Sequence, residues 1–493
     1  MRKLIENQLK IGQVGICNIQ IDLHSRDEIP QVLLGLQAIY GERQIREEVF
    51  TILESIIPEH IDSSNGRPGM DLWKILVLGT LRLNCNWDYD KLQEIANNHK
   101  TIRDFLGDTI YEFDQRYGLQ TLKDNISLFT PEVLDQISQV VVKAGHKLFN
   151  GLDADGLKGR CDSFVVETDV HYPTDINLLW DAIRKVIELI AGECNQWGIT
   201  EWRQYRHILK KIKKLFNRVR KLKRSNSKDK QKKASKDQLI IEVHQEYIDL
   251  VEQYTKSARE TVSILKEIGI GNVARIMLIE HFIDHAERQI NQIHRRVVKG
   301  EKIPHSEKAF SIFEEHTEWI SKGKAGVPQE LGLKVCVLED QFGFLLHHQV
   351  MEDQTDDQVT VAMVAEAKRK FAALNSCSFD KGFHSPKNQD ELQGLLDHVV
   401  LPRKGKLSLK AKKIEHSEDF IEARYKHSAV ESAINALENH ALDRCPDHGI
   451  IGFKRYVALA VLARNLQILG AKIQKKVRER LNRAEKADYR LAA

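Results

Sequence analysis

Three carboxylates stand where this sequence changes its local pattern, and three acids brought together are the means of binding Mg²⁺ and cutting a phosphodiester. Asp380 lies in Ser378-Phe-Asp380-Lys-Gly382-Phe383-His-Ser385. There a run of small and apolar residues meets a glycine turn, and a helical pattern from Asn388 to Leu396 follows. That places a carboxylate at the carboxyl end of a strand, where open sheets present their chemistry. Asp162 lies in a stretch where Cys161, Ser163 and Val165 alternate with Asp162, Phe164 and Val166, and a β-branched run continues to Thr168. This reads as a strand buried on both faces. A buried carboxylate needs a counter-charge or a metal, so a salt bridge is the plain alternative to a metal site. Asp169 and Asp175 are rivals, nearer the turn His171-Tyr-Pro-Thr-Asp175 and read as solvated. Asp380 has a plain reading too, since Asp-Lys-Gly is ordinary turn chemistry.

Glu431 is the third acid. Ser428-Ala-Val-Glu431 is a capping box, in which the Glu would do no more than hold a helix start. Yet Val430, Ile434, Leu437 and Ala441 mark a buried stripe, and His427, Glu431, Asn435 and Glu438 form a polar ridge beside it at helical spacing. A ridge bordering the core is where a site residue would sit.

The elements that must position these acids fall into blocks. A short strand is expected from Val14 to Leu23, and Ser25-x-x-Glu28 is a capping box opening a helix to about Tyr40. Further helices are expected at 43–57, 70–83, 88–97 and 100–106, with a turn at Asn65-Gly-Arg-Pro-Gly69. Short helices joined by tight turns are compatible with a helix-turn-helix unit, and equally with an ordinary helical subdomain. A helix from Pro131 to Phe149 precedes the strand of Asp162. Residues 178–300 are helical in pattern, with two 3-4 seams joined through Gly269-Ile-Gly271 as a helical hairpin. Strands return as a hairpin, Leu333–Leu338 and Phe342–Met351. A helix from Asp357 to Leu374, a strand ending at Asp380, a strand His398–Pro402 and long helices at 417–444 and 452–483 complete the order.

An acid on a first strand, an acid at the end of a later strand and an acid on a following helix is the layout of a ribonuclease-H-like fold. The expected class is mixed α/β and all-α: a ribonuclease-H-like catalytic domain interrupted by a large helical insertion, with an N-terminal helical, helix-turn-helix-like domain. The boundaries are an N-terminal DNA-binding domain at 1–125, catalytic parts at 126–180 and 319–475, the basic insertion at 181–318 and a basic tail at 476–493.

Composition bounds the function class. A chain of 493 residues with 42% hydrophobic residues and 10 prolines is globular, with more than one domain. Seven scattered cysteines without a CxxC pair argue against a disulfide framework or a zinc ribbon and fit a reducing cytoplasm. No signal peptide is visible. The apolar stretch Val457–Leu469 carries Arg464 and Asn465 and is too short to span a bilayer, so it reads as a buried helix. His281 and His285, four apart on a helix, have a spacing that permits metal binding, but no third ligand is near them in the sequence.

The net charge of +4 conceals a concentration of bases. From Arg203 to Lys236 there are sixteen Lys or Arg against one acid, Asp229. The first part keeps Ile208, Ile212, Leu215, Phe216, Val219 and Leu222 at helical spacing and reads as a basic amphipathic helix. The second, Arg224 to Lys236, reads as a mobile loop. Such a run is either a solvated face, a nuclear-type address, or a phosphate-binding surface that positions DNA without reading its sequence.

With these residues on the page, the chain resembles a DDE transposase of a bacterial insertion sequence, most closely the ISNCY group. The likeness runs through Gly66-Arg-Pro-Gly-Met-Asp-Leu-Trp73, Cys161-Asp-Ser-Phe-Val-Val-Glu-Thr-Asp-Val-His-Tyr-Pro-Thr-Asp175 and Gly326-Val-Pro-Gln-Glu-Leu-Gly332. It continues in Phe379-Asp-Lys-Gly-Phe383 and His427-Ser-Ala-Val-Glu-Ser-Ala-Ile-Asn-Ala-Leu-Glu438. It implies Asp162, Asp380 and Glu431 as catalytic, metal-binding acids for two Mg²⁺, with Mn²⁺ able to substitute. It implies double-stranded DNA (element ends and target) as the partner, a homo-oligomer on that DNA, no membrane, and a cytoplasmic, nucleoid-associated place. The candidate DNA-binding residues are Arg67, Lys210, Lys213, Lys214, Arg218, Arg220, Lys221, Arg224, Lys381, Arg424 and His427. Some related transposases carry a Tyr and an Arg ahead of the Glu. Here Tyr425 is present and Ser428 takes the Arg place, which leaves the phosphate to Arg424 or His427. The expected reaction is hydrolysis that frees a 3′-OH at an element end, followed by attack of that hydroxyl on target DNA, with no covalent protein–DNA intermediate. The alternatives are a nuclease of the same fold that cuts without joining, and a non-catalytic DNA-binding scaffold.

Overall fold

Strand β1 (Leu157–Thr168) organises the sheet, because it pairs with another strand along each of its two edges. The computed structural model describes residues 2–5, 9–57, 69–109, 111, 116–148, 156–222, 229–267, 269, 272–321 and 329–492. The other strands are β2 (Glu318–Ser321), β3 (Gln329–Glu339), β4 (Leu345–Met351), β5 (Leu374–Phe379), β6 (His398–Val400) and β7 (Arg444–Cys445). β3 runs antiparallel to β1, with Asp162 opposite Val337, and pairs antiparallel with β4 and β2. β5 runs parallel to β1, and β6 runs parallel to β5. β7 adds a short parallel pairing to the end of β1. The protein is therefore mixed α/β, mostly helical, with one mixed seven-stranded sheet.

The turn from β3 to β4 is fixed by Asp340, whose Oδ1 accepts from the backbone of Phe342 and Phe344 at 2.8 and 2.9 Å. Its Oδ2 meets His146 Nε2 at 2.6 Å, which ties the hairpin to the helix Pro131–Leu148. The helix Asp356–Lys370 opens with a capping box of Thr355 and Gln358 and packs against β3, β4 and β5.

The chain divides into two compact units, residues 1–169 with 318–493, and Val170–Thr317. Each has its own apolar core. The N-terminal helices belong to the first unit and share a core with the sheet, so Trp73, Leu76 and Phe105 are in one cluster with Val337 and Phe379. In the second unit the regular elements among the described residues are all helices, and none is a strand.

The helix Gly449–Ala492 completes the first core. The stretch Val457–Leu469 lies within this longer helix, which by length and composition alone could cross a membrane, with a mean hydropathy of 1.3 over its best window; its burial accords with the expected buried helix. That window is 72% buried inside the protein. Asn465, the polar break in its sequence, is buried and fully engaged. Its Oδ1 accepts from Leu345 N, and its Nδ2 donates to Leu345 O and Ser138 Oγ, each at 2.9 Å. The helix crosses Ile29–Gly41 at two glycines. A Cβ at Gly35 would collide with the Leu466 carbonyl, and one at Gly470 with the Gln31 carbonyl.

Several local expectations fail for identifiable reasons. Val14–Leu23 is not a strand; it holds a 3₁₀ turn at Ile16–Asn18. Gln37 Nε2 donates to the carbonyls of Ile16 and Ile19, at 2.8 and 3.0 Å, doing for this segment what a neighbouring strand would do. Ser25 does not close a capping box: its Oγ accepts from Asp27 N, and Asp27 accepts from Ile29 N, where the helix begins. The single helix expected at 417–444 is three pieces, Glu418–His427, Ala429–Leu437 and a π turn Glu438–Leu442, the last containing Ala441 at φ 77°. The later half of the basic run is not a loop from Lys230 onward, since Lys230–Glu267 is one helix.

Candidate active site

Register places two of the three acids together. Arg160 pairs with Ser378 and Cys161 with Phe379 across parallel strands. Asp162 and Asp380 are the next residue on each, so both follow the same rung, and side-chain alternation puts them on one face with Arg160 and Ser378. Asp380 ends β5 because the chain turns there into the short 3₁₀ segment Lys381–Phe383. Its side chain makes no cap hydrogen bond and the residue is exposed.

Glu431 arrives from the other side. The helix Ala429–Leu437 buries Val430, Ala433, Ile434 and Leu437 and packs against β1, and Glu431 stays exposed in its first turn. Ser428 does not cap this helix. Its Oγ donates to the Tyr425 carbonyl at 2.8 Å, and the helix start has no side-chain cap. The capping-box reading of Ser428–Glu431 is therefore corrected, and the Glu431 carboxylate is not occupied in holding the helix.

The Asp162 carboxyl reports how these groups sit. It is pushed up from its ordinary range to about 6, chiefly by burial. The charges of Asp380, Asp356 and Glu431 add to the rise, and the hydrogen bond from Ser163 N, at 2.8 Å, opposes it. Burial is thus the main cost to the charged form of Asp162, and three other acids lie near enough to add to it. They are not tightly clustered. Among the described residues, only His281, His285 and Glu315 bring three such ligand atoms within 4.8 Å of one another, so the acids around Asp162 are spread more widely.

Asp356 is the acid that sequence reading missed. It is the first residue of the helix Asp356–Lys370 and has its own partners. Ser163 Oγ donates to it at 2.7 Å, and Lys334 Nζ approaches its two oxygens at 3.3 and 3.1 Å. It also lies against Gly382, where a Cβ would meet Asp356 Oδ2 at 3.2 Å. The signal available in sequence was Thr355-Asp-Asp-Gln358, a capping box with two acids in the first turn.

His427 closes the group. Its Nδ1 is 3.0 Å from Ser378 Oγ. Burial lowers its pKa most; Asp380 and Glu431 push it up, Arg160 and Arg424 down, and the net direction is down. Burial thus disfavours the charged ring, and the same helix carries two exposed cations, Arg424 and Lys426, the latter paired with Glu422 at 2.5 Å. Lys381, beside Asp380, is exposed as well. The rivals Asp169 and Asp175 are engaged elsewhere, Asp169 with Arg444 at 3.5 Å and Asp175 with Arg296 at 2.9 Å.

In the second unit, the helix Tyr205–Lys221 buries Ile212, Phe216 and Val219 and exposes Lys210, Lys213, Lys214, Arg218, Arg220 and Lys221. Arg218 is paired with Glu246 at 2.6 Å. Lys213 stands over Trp180 and Arg220 over Phe216, at 5.9 and 5.3 Å from the ring centres. Arg67 and Arg224 lie outside the described residues.

Comparison with known proteins adds no name to this arrangement: no family model matches the chain, and no curated protein or solved structure is significantly similar to it.

Proposed function

We propose that this protein is a DDE-type transposase that binds the ends of a mobile element and carries out metal-dependent strand cleavage and strand transfer. The observation that carries the reading is that Asp162 and Asp380 both follow the rung Cys161–Phe379, with the charge of Glu431 near enough to act on Asp162. Asp162, whose charged form burial disfavours, pairs with no cation among the described residues. The sheet order supports it. We read β4–β3–β1–β5–β6, with the first three strands antiparallel and the last two parallel to β1, as a ribonuclease-H-like sheet interrupted after β1 by the helical unit.

The residues fit a hard divalent cation. They are carboxylates, Mg²⁺ prefers such oxygens and keeps several waters, and a cation would offset the burial, and the lesser repulsion from neighbouring acids, that raise Asp162. Asp162, Asp380 and Glu431 would hold it. When bound, Mg²⁺ supplies stabilisation of the charge that develops on the attacking and leaving oxygens. The protein's own part is positional. Asp162 is fixed by the strand and by Ser163 N, Asp380 by the turn at Gly382, and Glu431 by a helix that does not use its carboxylate. Asp356 steadies the far side of the strand through Ser163 and Lys334. The exposed bases of Tyr205–Lys221 neutralise phosphates, and they contribute affinity without sequence choice.

The test is a duplex carrying the element's end sequence, taken from terminal inverted repeats in the DNA flanking the gene, incubated with protein and Mg²⁺. The expected products are a nick with a free 3′-OH and a joined strand. Cleavage without joining would identify a nuclease instead, and binding with neither would identify a scaffold.

A further inference from the structure

We infer that the helical unit carries a second metal site of different character, a zinc-class site made by His281, His285 and Glu315. The inference does not depend on the transposase reading. The two histidines are one helical turn apart on Val273–Ile293, so they share a face. Both present Nε2 to the same atom, Glu315 Oε1, at 2.8 and 2.5 Å. The ring centres are 4.7 Å apart and the rings nearly perpendicular, so each nitrogen reaches the carboxylate without the rings clashing.

The third ligand is held in place independently of the histidines. Glu315 lies in a turn whose Ile312 is buried in the core of this unit, and Phe313 packs on Phe282 with ring centres 6.0 Å apart. Ser311 Oγ accepts from the backbone of Phe313 and Glu314, and Thr317 Oγ1 donates to the Glu314 carbonyl. Beside the three ligands opens a cavity of about 400 Å³, lined also by Asp284, Arg288, Lys308 and Ser311. Asp284 is engaged by Arg259, so it is not a competing ligand. His285 Nδ1 is buried with no hydrogen-bond partner among the described residues. In the metal-free site the Glu315 carboxylate accepts from Nε2, and an ion would take the place of that proton, leaving the ring protonated at Nδ1.

The chemistry selects the ion. Two imidazoles and one carboxylate suit Zn²⁺ or Co²⁺, whereas Mg²⁺ prefers an all-oxygen shell. Ligand bonds of about 2.0–2.2 Å need tetrahedral ligand spacings of about 3.3 Å. The half-exposed Glu315 carboxylate has to withdraw by less than about 1 Å to admit the ion. A cation there would staple the turn 311–317 to the helix and leave an open position facing the cavity.

The experiment uses the full chain, stripped with a chelator and titrated with Zn²⁺ in a large excess of Mg²⁺, with Co²⁺ as the spectroscopic probe. One Zn²⁺ per chain is expected, with the visible absorption of a four- or five-coordinate Co²⁺ site. His281→Gln and Glu315→Gln, both at solvent-open positions, should each weaken binding at least about tenfold, and Asp162→Asn should leave it unchanged. Failure to take up Zn²⁺ under excess Mg²⁺, or uptake that both variants leave intact, would overturn the inference. Circular dichroism on the same variants separates loss of ligand from loss of fold.

Discussion

Asp162 and Asp380 each follow one half of the same strand pair, Cys161 against Phe379, so two carboxylates 218 positions apart in the chain are neighbours by register alone. Such a relationship depends on β1 and β5 being parallel and in this register. A one-residue slip would send one acid to the opposite face.

Glu431→Gln separates catalysis from structure. Since Ser428 bonds to Tyr425 and not to the helix start, the amide should leave the unfolding midpoint within the ordinary scatter of surface substitutions, about 0.5 kcal/mol. DNA binding should persist. Mg²⁺-dependent cleavage should fall by roughly a thousandfold, equivalent to about 4 kcal/mol of lost transition-state stabilisation. Unfolding, binding and cleavage measured on one preparation decide it, and full cleavage by the variant would remove Glu431 from the site.

Asp162 gives a pH-dependent stability with a definite sign. Its carboxyl is held near 6 in the folded protein against an ordinary 3.8. The folded state therefore binds the extra proton between those values, and stability contributed by this group falls as pH rises through about 4 to 6. Asp162→Asn, assayed with chelator, should be more stable than the parent at pH 7 by up to about 3 kcal/mol, less in proportion to its partial exposure. The advantage should shrink to nothing below pH 4. Added Mg²⁺ should raise the melting temperature of the parent and not of the variant.

The basic helix should act uniformly on DNA. Charge reversal at Lys210, Lys213 and Arg220 should weaken binding to specific and random duplexes alike. The slope of log K against log salt should become shallower by about 0.9 for each phosphate that the helix no longer neutralises. A changed sequence preference in a competition assay would mean that the helix reads bases.

Asp356 and Asp380 should respond differently although both lie beside Asp162. Asp356→Ala leaves Lys334 and Ser163 Oγ without their partner, and a loss of about 1–3 kcal/mol is expected in denaturant unfolding. Asp380→Asn disturbs no cap and should cost little stability, yet it should abolish cleavage. Equal loss of activity at saturating Mg²⁺ in both variants would make Asp356 part of the metal-binding set.

What could be read from sequence was whatever lies in local pattern. The strand of Asp162 showed in its alternation, the turn after Asp380 in its glycine, and the buried stripe of Val430, Ile434 and Leu437 in its spacing. Asp356 was hidden because Thr355-Asp-Asp-Gln358 reads fully as a helix start, and nothing local says that a strand residue, Ser163, comes to meet it. Glu315 was hidden for a similar reason. It is thirty positions from His285, in a segment without periodicity, and only the folding of the turn onto Phe282 makes it a neighbour. Two capping boxes, at Ser25 and Ser428, matched the motif and did not form, because nearer backbone groups claimed the hydroxyls first.

The crossing at Gly35 and Gly470 also orders events during synthesis. Residues 170–317 contain a core of their own and can settle while later sequence is still being made. The N-terminal helices cannot, because the helix that seals them against the sheet is translated more than four hundred residues after Gly35. Until Gly470 has left the ribosome, the apolar faces of Ile29–Gly41 and Leu72–Asn84 stay open to other chains or to chaperones. Gly470→Ala, which denies the close approach, should therefore lower soluble yield in rapid expression and also destabilise the protein that does fold.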